Sequence, residues 1–263
     1  DEVLRQAAVK LDLRQREPRQ FKPIDSPQAA LDQVRRSLIE SQAAFAAALE
    51  PLSRSEIRLV ADSSYSIFTT SASNGHTLPN RSTARTICEL IKKMDREKMH
   101  DAAAALVPLC DRGLLDQLGK FSTEQTAAVE GASGTIHARI ATPAGDIVIG
   151  GREANTYQLD AMEGVSAVID LGGNDVYQEG SVSLARPLLV ILDLGGNDTY
   201  QGSKPGIQGG ALLGVSMLVD AINNRRPTGA TENTVLGPFH VDGVPEYPMG
   251  ANITLAGAGE TCL

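Results

Sequence analysis

The chain has 263 residues, 42% of them hydrophobic, enough to pack a core in one large domain or two small ones. Its formal net charge of −8 argues against non-specific nucleic-acid binding, which needs lysine and arginine to neutralise phosphates. No run of about 18 apolar residues occurs, so no membrane-spanning helix is expected.

The chain opens on Asp1 without a signal-peptide pattern, which implies a processed, trimmed or partial chain and leaves the compartment open. Residues 1–25 are polar and charged, and read as a short helix followed by a linker. The basic group Arg14, Arg16, Arg19 and Lys22 is taken as a solvated face or tail. At Ser26-Pro27 a helix begins, with serine as N-cap and proline in the first turn. Ala30, Leu31, Val34, Leu38, Ala44 and Phe45 then recur at helical spacing. A second helix is predicted from Ser53 to about Phe68, and a loop over Thr69–Arg81. Ser82 caps a third helix, which runs into the alanine-rich stretch Ala102–Leu109. Leu114–Leu118 forms a short helix stopped by Gly119. Residues 1–120 are therefore expected to be mostly helical.

The pattern then changes. Thr135–Ile140 alternates with a period of two, Pro143-Ala144-Gly145 is turn chemistry, and Asp146–Ile149 is a second strand. His137 lies on the first of these strands and is read as structural. An internal repeat follows. Asp170-Leu-Gly-Gly-Asn-Asp-Val-Tyr177 returns as Asp193-Leu-Gly-Gly-Asn-Asp-Thr-Tyr200, each copy preceded by a buried-looking apolar run. A weaker copy comes earlier, Ile147-Val-Ile-Gly-Gly151 with Asn155-Thr-Tyr157. A period of about 20–25 residues made of one strand and a glycine-rich turn suggests stacked solenoid coils over 134–212. Tyrosines one coil apart can stack.

The repeat resembles the Gly-Gly-x-Gly-x-Asp calcium turns of repeat-in-toxin proteins, but lacks the third glycine and has a longer period. It also resembles uncharacterised bacterial proteins with GGNDxY repeats, which carry no assigned activity. Asp170, Asn174, Asp175, Asp193, Asn197 and Asp198 offer hard oxygen ligands for Ca2+. The same residues build tight turns without any metal, and that reading is preferred at this level.

From about residue 213 the text changes again. Leu213-Gly-Val-Ser-Met-Leu-Val-Asp-Ala-Ile-Asn223, Gly229-Ala-Thr-Glu-Asn-Thr-Val-Leu-Gly-Pro-Phe-His-Val241, Gly250-Ala-Asn-Ile253 and Gly259-Glu-Thr-Cys262 follow. This stretch, 213–263, resembles the intradiol ring-cleavage dioxygenases, most closely hydroxyquinol and catechol 1,2-dioxygenases. In that family it joins a helical linker domain to the catalytic β-sandwich. The resemblance implies Fe(III) held by two tyrosinates and two histidines, cleavage of a catechol-type small molecule with O2, and a homodimer. No iron ligand carries over: His76, His100, His137 and His240 are dispersed, and Tyr247 stands alone. Ring cleavage is therefore not expected of this stretch as it stands. The alternative is a non-enzymatic solenoid acting as a structural or binding module.

Residues 209–220 fit both neighbours, as a coil strand or as a helix of the dioxygenase linker, and a fusion is expected at this shared stretch. Three cysteines, Cys88, Cys110 and Cys262, have no metal-site spacing and no evident disulfide framework, and are read as buried or incidental thiols. The expected fold class is α+β: a helical N-terminal region, a short parallel β-solenoid and a dioxygenase-like C-terminal tail.

Overall fold

The computed structural model describes residues 2–15, 23–68, 81–221 and 235–237. Six α-helices come first: α1 (Glu2–Lys10), α2 (Pro27–Leu49), α3 (Arg54–Phe68), α4 (Arg81–Lys93), α5 (Arg96–Ala104) and α6 (Arg112–Leu118), with a 3-10 turn over Val107–Cys110. The start of α2 is the one its sequence announces. Ser26 is extended, and its hydroxyl accepts a hydrogen bond from the Ala29 amide at 3.3 Å. Ala30, Leu31, Val34, Leu38, Phe45 and Leu49 form its buried stripe. The alanines of α5 let that helix lie close to α2, where the buried Ser41 hydroxyl donates to the Ala102 carbonyl at 2.8 Å. Asp95 and Asp111 cap α5 and α6 through the amides of Lys98 and Leu114. Among the described residues no helix is long and apolar enough to cross a membrane.

The strands are β1 (Ala132–Ser133), β2 (Ile136–Ile140), β3 (Asp146–Gly150), β4 (Thr156–Gln158), β5 (Val165–Asp170), β6 (Val176–Gln178), β7 (Leu188–Asp193), β8 (Thr199–Gln201), β9 (Val215–Asp220) and β10 (Val235–Gly237). They make two sheets, a six-stranded one in the order β10-β9-β7-β5-β3-β2 and a four-stranded one in the order β1-β4-β6-β8. β3, β5, β7 and β9 are parallel, as are β4, β6 and β8. Each of the first three coils has one long strand, a glycine-rich corner and a short strand on the second sheet, and β9 adds a fourth long strand. This is the solenoid-like, α+β arrangement read from the repeat.

β5 and β7 are buried along their whole length because both faces are covered. Ile169, Val190, Leu192, Val215 and Met217 face the helices and share one core with Leu38, Leu106, Leu109 and Leu118. Val168, Leu189 and Ile191 face the solenoid interior with Tyr157, Leu159, Met162 and Tyr177. The helical region and the solenoid are thus joined by a common hydrophobic core. Loops between coils are tied by Asp160. It accepts from the Ser181 amide at 2.9 Å, and pairs with Arg186 at 3.0 Å and Lys204 at 2.6 Å.

The ambiguous stretch resolves as strand. Asp193 pairs with Asp220 and Leu188 with Val215, so β9 continues the parallel stack in register with β7. The helical alternative for 215–220 is corrected by this pairing, which satisfies its backbone within the sheet. β10 then adds antiparallel to β9, with Val235 opposite Leu218. The remainder of the dioxygenase-like tail, including His240, Tyr247 and Cys262, lies outside the described residues, as do His76 and the loop at 69–80.

Candidate functional site

Alternation along a strand fixes where the repeat aspartates go. Ile169 and Leu192 face the helices, so Asp170 and Asp193, one residue on, face the solenoid interior. Both are fully buried, and Asp175 is 1% exposed. Parallel register lines up Asp170 with Asp193 and Asp220, and Tyr157 with Tyr177 and Tyr200. The three rings form a continuous stack, with centroids 5.1 Å and 4.9 Å apart and interplanar angles of 20° and 8°. Each such pair adds about 0.5–1.5 kcal/mol beyond its burial.

Each aspartate has a distinct structural task. Asp170 and Asp193 hold their own corners, accepting from the amides of Gly172 at 2.8 Å and Gly195 at 3.1 Å. Gly172 takes φ +130 at that corner, a conformation side chains disfavour. Asp175 and Asp198 instead bind the preceding coil, accepting from the amides of Asn155 at 2.6 Å and Asp175 at 2.7 Å. Tyr157 donates to Asp170 Oδ2, as does the Asn155 side-chain Nδ2 at 3.1 Å, and Tyr200 donates to Asp193 Oδ2 at 3.0 Å. In the first coil Gly150 replaces the first aspartate and Asn155 the second. A Cβ on Gly150 would overlap the Tyr157 hydroxyl and come within 2.5 Å of Asp170 Oδ2.

The carboxylates crowd one another without a compensating base. None of the ion pairs found among the described residues reaches Asp170, Asp175, Asp193, Asp198 or Asp220. Burial pushes Asp170 up to about 8, helped by the charges of Asp175 and Asp193 and opposed by the Tyr157 hydrogen bond. Burial likewise raises Asp198 to about 7, with Asp193 and Asp175 adding to it. Asp175 and Asp220 are raised mainly by burial, with Asp193 contributing to both. The phenols of Tyr157, Tyr177 and Tyr200 are raised by burial and by the aspartates, so they remain neutral.

Of the six residues singled out as oxygen ligands, Asp170, Asp175 and Asp193 converge. One carboxylate oxygen from each lies within 4.8 Å of the other two, and all three residues are buried. Asp198 adjoins Asp193 at the half-buried end of the column. Asn174 and Asn197 are not brought in. They sit exposed on the corner, where Asn174 Oδ1 accepts the Asn197 amide at 3.0 Å. Sequence reading missed Gly150, Asn155 and Asp220 as parts of this column, because the first and last coils depart from the repeated words.

The donors do not fit the iron site implied by the dioxygenase resemblance. That site needs imidazole nitrogens beside tyrosinates, whereas among the described residues this cluster has three carboxylates, neutral phenols and no histidine. His100 is buried against α1, its Nε2 3.1 Å from the Leu4 carbonyl oxygen, and His137 lies on β2.

No family model and no solved structure matches the chain. A segment of 52 residues does have curated relatives. It is 71% identical to hydroxyquinol 1,2-dioxygenase of Rhizobium sp. (strain MTP-10005), over 20% of this chain and 18% of that protein. It is 50% identical to 6-chlorohydroxyquinol 1,2-dioxygenase of Cupriavidus pinatubonensis (strain JMP 134 / LMG 1197), over 20% and 19%. It is 46% identical to the intradiol ring-cleavage dioxygenase hqdA of Aspergillus niger (strain ATCC MYA-4892 / CBS 513.88 / FGSC A1513), over 20% and 16%. The chain spans less than a fifth of the length of these relatives, and carries an intradiol dioxygenase-like segment rather than the whole of such a protein.

Proposed function

We propose that the described part of the chain is a non-enzymatic β-solenoid module, structural or ligand-binding, joined to a piece of intradiol-dioxygenase sequence. The observation that carries this reading is the Asp–Tyr column. Its carboxyls and phenols, the groups that would draw notice as catalysts, are largely buried, and the Tyr157 hydroxyl and one oxygen each of Asp175 and Asp198 tie coil to coil. A surface cavity of about 470 Å3 beside β2, lined by Thr126, Ala127, Val129, Ala132, Gly134 and Ile136 among others, presents no titratable side chain.

A second reading rests on the 71% identity to a hydroxyquinol 1,2-dioxygenase over 52 residues. In that reading the chain contributes the linker of an Fe(III) enzyme. Once the remaining catalytic parts are supplied, it acts on a hydroxyquinol- or catechol-type small molecule and assembles as a homodimer. The two readings separate when the missing part is supplied. The purified chain is mixed with the separately produced catalytic β-sandwich of a hydroxyquinol 1,2-dioxygenase, loaded with ferric iron and given hydroxyquinol, while O2 uptake and the visible spectrum are followed against the β-sandwich alone. The solenoid reading expects no uptake and no tyrosinate-to-iron absorption beyond those of the β-sandwich alone. Turnover that depends on adding the chain would overturn it.

A further inference from the structure

We propose that Asp170, Asp175 and Asp193, together with the Tyr177 hydroxyl, bind one Ca2+ ion inside the second and third coils. This deepens the solenoid reading by naming what the column holds. One oxygen from each of the three carboxyls lies within 4.8 Å of the other two. Two oxygens on one Ca2+ at roughly 2.3–2.6 Å can be up to about 5 Å apart, so this spacing brings all three within reach of a single ion after a small side-chain adjustment.

Exposed acidic groups often cluster without an ion, but here the oxygens are buried and one buried hydroxyl beside them is unpaired. Tyr177 is fully buried, and its hydroxyl has no hydrogen-bond partner. Its neighbours in the stack are both committed, Tyr157 to Asp170 and Tyr200 to Asp193. Because Tyr177 is stacked between them in register, its hydroxyl points into the gap between those two aspartates. Leaving a buried hydroxyl unpaired costs about 1–3 kcal/mol, so such groups normally have a partner. One more buried oxygen of the cluster, Asp175 Oδ2, also receives no donor. What the site lacks is something that accepts lone pairs from several oxygens at once. A cation does this, whereas a further acceptor or a water with two protons satisfies only part of the set.

Ligand type selects the ion. Among the described residues every donor in the cluster is a hard oxygen, and no cysteine or histidine joins it, which disfavours zinc and copper. Mg2+ requires near-octahedral geometry and retains several waters, whereas Ca2+ accepts irregular sets of carboxylate and neutral oxygens. The ion would also neutralise carboxylates that otherwise stay ionised only at the expense of stability. Because the ligands are buried, it enters during folding.

The test uses the full chain, unfolded with chelator and refolded at pH 7.5 in EDTA, in CaCl2 or in MgCl2. Calcium content is then measured after desalting, and Tm is recorded. The expected result is one retained Ca2+ per chain and a Tm higher by on the order of 5 °C or more in CaCl2 than in EDTA. Asp175→Asn should abolish both, and Tyr177→Phe should weaken the apparent affinity about tenfold while leaving the ring stack intact. Asn174→Ala, on the exposed corner, should keep both. If Asp175→Asn does not fold, Tyr177→Phe decides. No retained calcium with equal melting in EDTA and CaCl2 would overturn the proposal, and would assign shared protons to the carboxyl pairs instead. A calcium effect unchanged in Tyr177→Phe and Asp175→Asn would overturn it too. Either failure leaves the non-enzymatic solenoid standing, since that reading falls only to ring-cleavage turnover.

Discussion

Raising the pH from 5 to 8 in the presence of chelator is expected to weaken the fold, through the carboxyls of the Asp–Tyr column. In the folded chain Asp170 is raised from 3.8 to about 8, and Asp198 from 3.8 to about 7. Between those limits the native chain holds more protons than the unfolded one. Stability therefore falls with rising pH throughout the window. The contribution is complete below the unfolded value of 3.8 and is gone above about 8. At 1.36 kcal/mol per pH unit, a single buried proton retained from pH 5 to 8 accounts for on the order of 4 kcal/mol. That is a large share of the roughly 5–15 kcal/mol that holds a typical domain together. Opposing groups act elsewhere on the pH scale. Glu56, lowered from 4.5 to about 2 by hydrogen bonds from Ser53 and by Lys93, loses its contribution only as the pH drops through that lower range. The assay is urea unfolding in EDTA at pH 5, 6.5 and 8, with a midpoint expected to fall by about 1 M or more. A midpoint that stays level or rises between pH 5 and 8 would refute the reasoning.

Three substitutions probe other parts of the structure. Gly150→Ala places a methyl group against Tyr157 and Asp170, and should destabilise by about 1–3 kcal/mol in chemical denaturation. Leu192→Ala empties part of the core shared by β7 and the helices, and should cost about 2–5 kcal/mol. In that variant helix loss by far-UV circular dichroism and tyrosine exposure by fluorescence should move together. Separate transitions would show that the two halves fold independently. Asp160→Ala strips Arg186 and Lys204 of their shared partner and should lower stability by about 2–3 kcal/mol, more than Lys204→Ala alone.

Much of the solenoid was legible because two coils repeat the same words, and equal sequences stacked in parallel put equal residues in register. The start of α2 was legible for a different reason, since Ser26-Pro27 is local chemistry that needs no tertiary partner. The stretch 215–220 was not legible. A short apolar run is compatible with helix or strand, and only the neighbouring β7 decides between them. The union of helices and sheet in one core was hidden as well. An apolar stripe on α2 says that something covers it, without saying that β7 does. At the site, the repeat marked its Asp and Asn residues alike as oxygen donors. It could not show that Asn174 turns to solvent while Asp175, its neighbour in the chain, is buried. Nor could it show that Gly150 is a place kept empty for a tyrosine hydroxyl from its own coil.

The substitution of Gly150 and Asn155 for aspartates in the first coil has a consequence for how such a molecule can grow. Repeat proteins usually lengthen by duplicating a unit, and an added unit is tolerated if it stacks as its parent did. Here a duplicated second or third coil stacks well but brings two more inward carboxylates into a column with no lysine or arginine to meet them. Each duplication must therefore arrive with a proton or cation shared between its carboxyls, or with a neutral residue at one of the two positions. The number of coils is limited by electrostatics before it is limited by shape.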